Sequence, residues 1–193
     1  MRQGHTPLSY RITCVPRPFV CRGAHASFPP PPQMIDPRNV DYHEISRRGD
    51  TEVMEVFLEA GLDPELRDER GYTLLMIAAY NDQPKMVELL LAHAADADAA
   101  DASGNSPLMG LCFKGNVPLA ERILAAGADL HARNGAGATA LMMAAMFRQA
   151  DLVRLLLERG ADPAARDSRG LTARELAEAH GHAEIVHLLA EDT

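Results

Sequence analysis

The stretch Gly137-Ala138-Thr139-Ala140-Leu141-Met142-Met143-Ala144-Ala145 decides how this chain folds, because its wording returns at a fixed distance on both sides. Gly71, Gly104, Gly137 and Gly170 are spaced 33 residues apart, and two positions after them come Thr73, Ser106, Thr139 and Thr172. A small residue holds the eighth position at Ala78, Ala144 and Ala177, with Leu111 as the exception. Apolar blocks follow at Met86 to Leu91, Leu119 to Leu124, Leu152 to Leu157 and Ile185 to Leu189. Most blocks run into a Gly-Ala-Asp or a close variant: Gly61-Leu62-Asp63, Ala94-Ala95-Asp96, Gly127-Ala128-Asp129 and Gly160-Ala161-Asp162. Self-similarity at one period is the mark of a stacked-repeat architecture.

Each element of the repeat has a physical reading. A Thr or Ser just after the glycine suits a helix N-cap, where its hydroxyl accepts from an orphaned backbone N–H. The segment 74–80 and its copies then predict about two turns of helix. Asp82 or a glycine (Gly49, Gly115, Gly181) breaks it at the twelfth position. A second helix is predicted over 84–93, 117–126, 150–159 and 183–190, with leucines on its inner stripe. Glycine at the twenty-fourth position stops that helix in a left-handed conformation. The recurring Asp63, Asp96, Asp129 and Asp162 are expected to bond local backbone in the turns. One such unit cannot bury its apolar face alone, so the units must stack.

With these residues in view, the chain resembles the ankyrin-repeat family. The resemblance is carried by Thr73-Leu74-Leu75-Met76-Ile77-Ala78-Ala79, Ser106-Pro107-Leu108-Met109 and Thr139-Ala140-Leu141-Met142-Met143-Ala144-Ala145, which echo the family's T-P-L-H-x-A wording. The usual His after the Leu is replaced by Met76, Met109 and Met142, a flexible thioether in place of a hydrogen-bonding ring. The expected fold class is all-α: an ankyrin-repeat solenoid of helix-turn-helix units joined by short β-hairpin-like turns. The expected division is a Pro/Arg-rich disordered tail over 1–37, then a repeat domain over 38–193. Within it, 38–70 reads as an N-capping repeat, 71–103, 104–136 and 137–169 as full repeats, and 170–193 as a C-capping repeat. In the last unit Arg174 and Glu178 replace core-facing Leu and Ala, giving the polar outer face that a solenoid end needs. The run Pro29 to Pro32 disfavours helix and strand in the tail, and Met34 is an alternative start.

Composition agrees with a helical repeat. Hydrophobic residues make up 47% and charged residues 24%, while aromatic residues are only 5% with no Trp. The apolar mass is therefore Ala, Leu, Val and Met, a helical vocabulary. Four Arg face one acidic residue within 1–37, leaving 15 basic and 26 acidic residues in 38–193. An acidic body repels phosphate backbones, so nucleic acid is not an expected ligand. Cys112 sits among apolar residues and reads as core, while Cys14 and Cys21 lie in the tail; no disulfide framework or zinc spacing emerges. Neither a signal peptide nor a membrane-spanning stretch is read, so the expected location is cytoplasmic.

Candidate chemistry is thin. His180, His182 and His187 lack a completing Cys or carboxylate cluster and read as structural. His43-Glu44 is half of a zinc-protease helix motif, but Arg47 stands where the second His belongs. Gly135-Ala136-Gly137-Ala138 falls at a repeat junction and lacks a dinucleotide site's third glycine. No catalytic residue, metal or cofactor is assigned.

The informative positions are those the fold does not dictate. The family resemblance implies that hairpin tips and first-helix ends line one concave face that binds another protein. Here the helix ends read Arg47/Arg48, Tyr80/Asn81, Phe113/Lys114, Met146/Phe147 and Ala179/His180. Tyr80, Phe113 and Phe147 place one aromatic ring in each full repeat, the residue type that anchors interfaces. The candidate partner-binding set is Tyr80, Phe113, Lys114, Met146, Phe147 and Arg47, with Tyr72 and Asn105 from the tips, on an expected monomer. Glu69, Arg70, Arg169 and Leu171 would extend it. In the alternative packing Phe113 and Phe147 fold inward to fill gaps left by Ala and Met. The stretch Gly104 to Gly115 also resembles small stand-alone bacterial ankyrin proteins, some associated with catalase, which implies support of a haem enzyme as an alternative. Two further alternatives are an unrecognised hydrolase or transferase, and an effector secreted into a host cell.

Ala94 stands where two other repeats have Gly127 and Gly160. If its backbone is left-handed, Ala94→Gly raises stability by up to about 1 kcal/mol by removing a strained Cβ. Thermal unfolding checks this, and a lowered melting temperature would count against that geometry.

Overall fold

A computed structural model describes residues 40–191 of the chain. Ten helices in five antiparallel pairs occupy it: α1 (Tyr42–Arg48) with α2 (Thr51–Glu59), α3 (Leu74–Tyr80) with α4 (Pro84–Ala92), α5 (Pro107–Lys114) with α6 (Val117–Ala125), α7 (Ala140–Met146) with α8 (Ala150–Glu158), and α9 (Ala173–Ala179) with α10 (Ala183–Glu191). First helices stack on first helices, α1 on α3, α3 on α5, α5 on α7 and α7 on α9. Second helices form the other layer, with α2 against α4, α6 against α8 and α8 against α10. The predicted second helices end within one residue of the observed ones.

The first helices form because their caps are met and both of their sides are covered. The hydroxyls of Thr73, Ser106, Thr139 and Thr172 accept from the N–H groups of Met76, Met109, Met142 and Glu175, at 3.2, 3.4, 3.4 and 3.2 Å. Thr73, Ser106 and Thr139 are themselves buried, so losing the bond would leave a dry, orphaned donor. Six of the seven residues of α3, Leu74 to Ala79, are buried. Met76, Met109 and Met142 are buried as well, filling the core column where the family's His would sit. Leu111, the exception to the small-residue rule, and Cys112 are fully buried. Burial pushes the Cys112 thiol up to about 12, so it stays protonated and inert.

The turns are built by one side chain per unit. Asp68, Asp101, Asn134 and Asp167 each accept from the N–H groups two and four residues on. These are Asx turns closed by a side-chain oxygen. Among the described residues they carry one isolated antiparallel bridge, Arg67 with Thr73, so the hairpin character is slight. Asp63, Asp96, Asp129 and Asp162 accept from the N–H two residues later, as expected. The tip glycines that face a following turn, Gly71, Gly104 and Gly137, have a second reason besides their positive φ. A Cβ on Gly137 would lie 2.9 Å from the Ser168 nitrogen of the next turn, whereas one on Gly170 would meet nothing.

Two sets of polar side chains join neighbouring units. Arg67 Nη1 donates to the carbonyls of Gly71 (3.0 Å) and Ala100 (2.5 Å), and Arg133 Nη1 to those of Gly137 (3.1 Å) and Arg166 (2.6 Å). Ala100 holds the equivalent place between them and has no such donor. At that junction Asn134 Nδ2 donates to Asn105 Oδ1 at 2.9 Å. On the helix side, Gln83 and Gln149 donate to the carbonyls of Arg47 and Phe113 at 3.2 and 3.4 Å. His182 Nδ1 lies 3.0 Å from the carbonyl of Ala145, so the proton sits on that nitrogen. This gives His182 the structural role read from sequence.

The left-handed positions hold one surprise. Ala94 has φ +61°, as its place in the repeat implied, but Arg148 is also left-handed at +58° where other units carry Gly or Asp. With Asp82 at +55°, the chain therefore accepts a left-handed non-glycine residue at three helix ends, at a cost on the order of 1 kcal/mol each.

Two expectations follow. Ala100→Arg supplies the missing charge-assisted donor and recovers about 1 kcal/mol of the stability lost in Asn105→Ala, measured by urea unfolding of the single and double variants. The second concerns acid. The Glu175 carboxylate is held below its ordinary value of 4.5, first by the N–H and then by the hydroxyl of Thr172. Asp167 is likewise lowered, first by the N–H of Leu171. A depressed folded-state value means stabilisation that is present at neutral pH and lost as pH falls through it. Melting temperature should fall between about pH 5 and pH 3, and less steeply in Glu175→Gln.

Candidate functional site

The ends of α3, α5 and α7 carry Tyr80, Phe113 and Phe147, which are 47%, 41% and 38% exposed. The inward packing weighed for Phe113 and Phe147 is not adopted. The rings touch one another instead. Tyr80 and Phe113 stack with centroids 6.2 Å apart, and Phe113 meets Phe147 edge-to-face at 4.5 Å. Stacking of identical units explains the row: each repeat delivers its helix end at the same height, so side chains 33 or 34 residues apart become neighbours. Lys114 Nζ lies 4.7 Å from the centre of the Tyr80 ring, a cation–π contact.

The other predicted residues divide by what they touch. Arg47 is exposed and pairs with Glu44, which also pairs with Arg48 at 2.7 Å. These two cations hold the Glu44 carboxyl below its ordinary value, Arg48 contributing most. Tyr72, at the tip before α3, is 37% exposed and shares a depression with Arg47, Arg70 and Tyr80. Met146 is half-buried and packs on the core, so it supports the row rather than extending it. Asn105 is half-buried too, donating to Asp101 Oδ2 at 3.1 Å while accepting from Asn134. Its amide is thus engaged within the chain. Leu171 is half-buried against the core, and Arg169 pairs with Asp167 at 3.0 Å.

Sequence reasoning missed Met76 and Ile77 as part of this surface. Both read as core by their spacing, yet both line the same depression as Arg70 and Tyr72. Periodicity reports which way a side chain points, and it does not report a gap between a tip and the neighbouring helix end.

Among the described residues no group of three or more His, Cys, Asp or Glu side chains could hold a metal ion. His180 and His182 stack at 5.8 Å beside Arg148. Among the same residues no helix is long and apolar enough to cross a membrane.

A comparison with curated proteins found no match to the chain. A family model described as ankyrin repeats (3 copies) matches residues 42–134 and again residues 108–193. Ankyrin repeats are generic protein–protein interaction modules, and the matched span covers every helix pair described above. The 33-residue period, the capped first helices and the two stacked helix layers thus belong to a known architecture, and this chain is a member of the ankyrin-repeat family.

Proposed function

We propose that this protein is a monomeric adaptor that binds a partner protein through the first-helix ends and the hairpin tips. One observation carries the reading: three aromatic rings from three successive repeats lie exposed and in mutual contact. Exposed apolar surface that is contiguous and held on rigid elements marks an interaction site. Covering the exposed part of one such ring contributes on the order of 1 kcal/mol, and aromatic residues are over-represented among binding hot spots. The backbone beneath the row is set by capped, buried helices, so little ordering entropy opposes binding.

The same reading assigns roles to the ends. Residues 38–70 and 170–193 act as caps, and 71–169 present the binding surface. The exposed pair Arg174 and Glu178, 3.0 Å apart on α9, supports the capping role of the last unit. Tyr80, Phe113 and Phe147 are the anchors, Lys114, Arg47 and Tyr72 flank them, and Met146 and Asn105 hold the surface in shape.

The test is affinity capture from source-cell lysate with wild type and a Tyr80→Ala, Phe113→Ala, Phe147→Ala variant, once both show matching helical circular dichroism. The expected result is a protein retained by wild type and lost by the variant. Equal retention by both would move the binding site off the aromatic row.

A further inference from the structure

We infer that the partner segment taken by this face is acidic and apolar: an extended stretch of protein in which carboxylates accompany aliphatic or aromatic side chains. This rests on the docking role proposed above for the same face and adds the chemistry of what docks.

The depression beside the row has a volume of about 540 Å³, within the roughly 300–1,000 Å³ typical of ligand-holding clefts. Its floor is apolar, made by Met76 and Ile77, which are 8% and 6% exposed. Its rim carries two guanidinium groups, Arg47 and Arg70, with Tyr72 and Tyr80 between them. Arg47 and Arg48 share the single carboxylate of Glu44, which leaves that trio with one positive charge. No carboxylate of the described residues pairs with Arg70. Further along, Lys114 adds an ammonium over Tyr80. Asp68 lines the same depression and accepts from the N–H groups of Arg70 and Tyr72; its charge and that of exposed Glu69 offset part of this positive charge.

The rest of the repeat region has the opposite character. It carries 15 basic and 26 acidic residues from 38 onward, and α2 alone presents Glu52, Glu55 and Glu59 with no cation. A basic ligand would be drawn to α2, whereas the Arg47–Arg70–Lys114 edge offers an acidic one a cluster of cations on an acidic repeat region. Such a field selects and orients a ligand before contact. The geometry fits an extended chain as well. The 6.2 Å between the Tyr80 and Phe113 rings is close to the roughly 6.7 Å between alternate side chains of a strand. Alternate apolar side chains can therefore sit on the Tyr80 and Phe113 rings or in the depression, while a guanidinium at its rim donates to a carboxylate in a charge-assisted bond.

Selection of random peptides displayed on phage against the immobilised full chain tests this. The expected binders are acidic and contain at least one large apolar residue. The most enriched peptide, made synthetically, should bind at least about tenfold more weakly to an Arg47→Glu, Arg70→Glu variant and lose affinity as salt screens the contact. Arg159→Glu, on the second-helix side, should bind it as wild type does. If the double variant melts early, Arg70→Gln alone serves, with a smaller loss expected. Enriched peptides that are neutral or basic, binding indifferent to Arg70, or no enrichment at all would each overturn the acidic assignment. If neutral or basic binders are nonetheless lost by the Tyr80, Phe113, Phe147 triple variant, the docking face stands and only the partner's chemistry is wrong.

Discussion

Four of the five units of this molecule hang on a side-chain oxygen that closes the turn before the first helix. Asp68, Asp101, Asn134 and Asp167 each gather two backbone N–H groups that neither helix nor sheet would satisfy. That bond sets the angle at which the chain enters the Thr or Ser cap, and the cap sets the start of the buried helix. Because the turn is rebuilt the same way each time, successive helices arrive parallel and at one spacing. The packed core, the junction hydrogen bonds and the aligned aromatic ends all follow from that regularity.

The junctions show how one substitution in the pattern is absorbed by another. Arg67 and Arg133 reach across to the next turn, and Ala100 does not. At the place it leaves bare, Asn105 and Asn134 make a neutral side-chain bond instead. A residue that looked free for recognition is therefore held by the architecture. Surface position alone does not tell the two uses apart; the hydrogen-bond partners do.

Much of the fold was legible because it is periodic. The Thr73, Ser106, Thr139 and Thr172 caps, the helix pairs, the Asp63-type turns and the left-handed Ala94 could all be read from spacing. Arg148 could not, since an arginine does not favour the left-handed conformation it adopts there. The bridging roles of Gln83, Gln149 and His182 were equally hidden, because they depend on where the preceding helix ends in space. The recurrence of Arg67, Arg133 and Arg166 on the 33-residue register, interrupted at Ala100, was legible too. At the candidate site the aromatic row was readable as one ring per repeat, while its mutual stacking and the depression over Met76 and Ile77 were not.

The polar bonds that join units link residues between 28 and 37 apart in sequence. Contacts of such modest sequence separation let the chain assemble by adding one unit to its neighbour, as a zipper closes. They also let it open from an end, since among the described residues each outer unit packs on one neighbouring unit. Fraying of α9 and α10 would remove the partner of α7 and α8 and leave Tyr80, Phe113 and Phe147 on units still paired with each other. The aromatic anchors sit on the three inner units of the described array, where local unfolding reaches last, while Arg47 sits on the first.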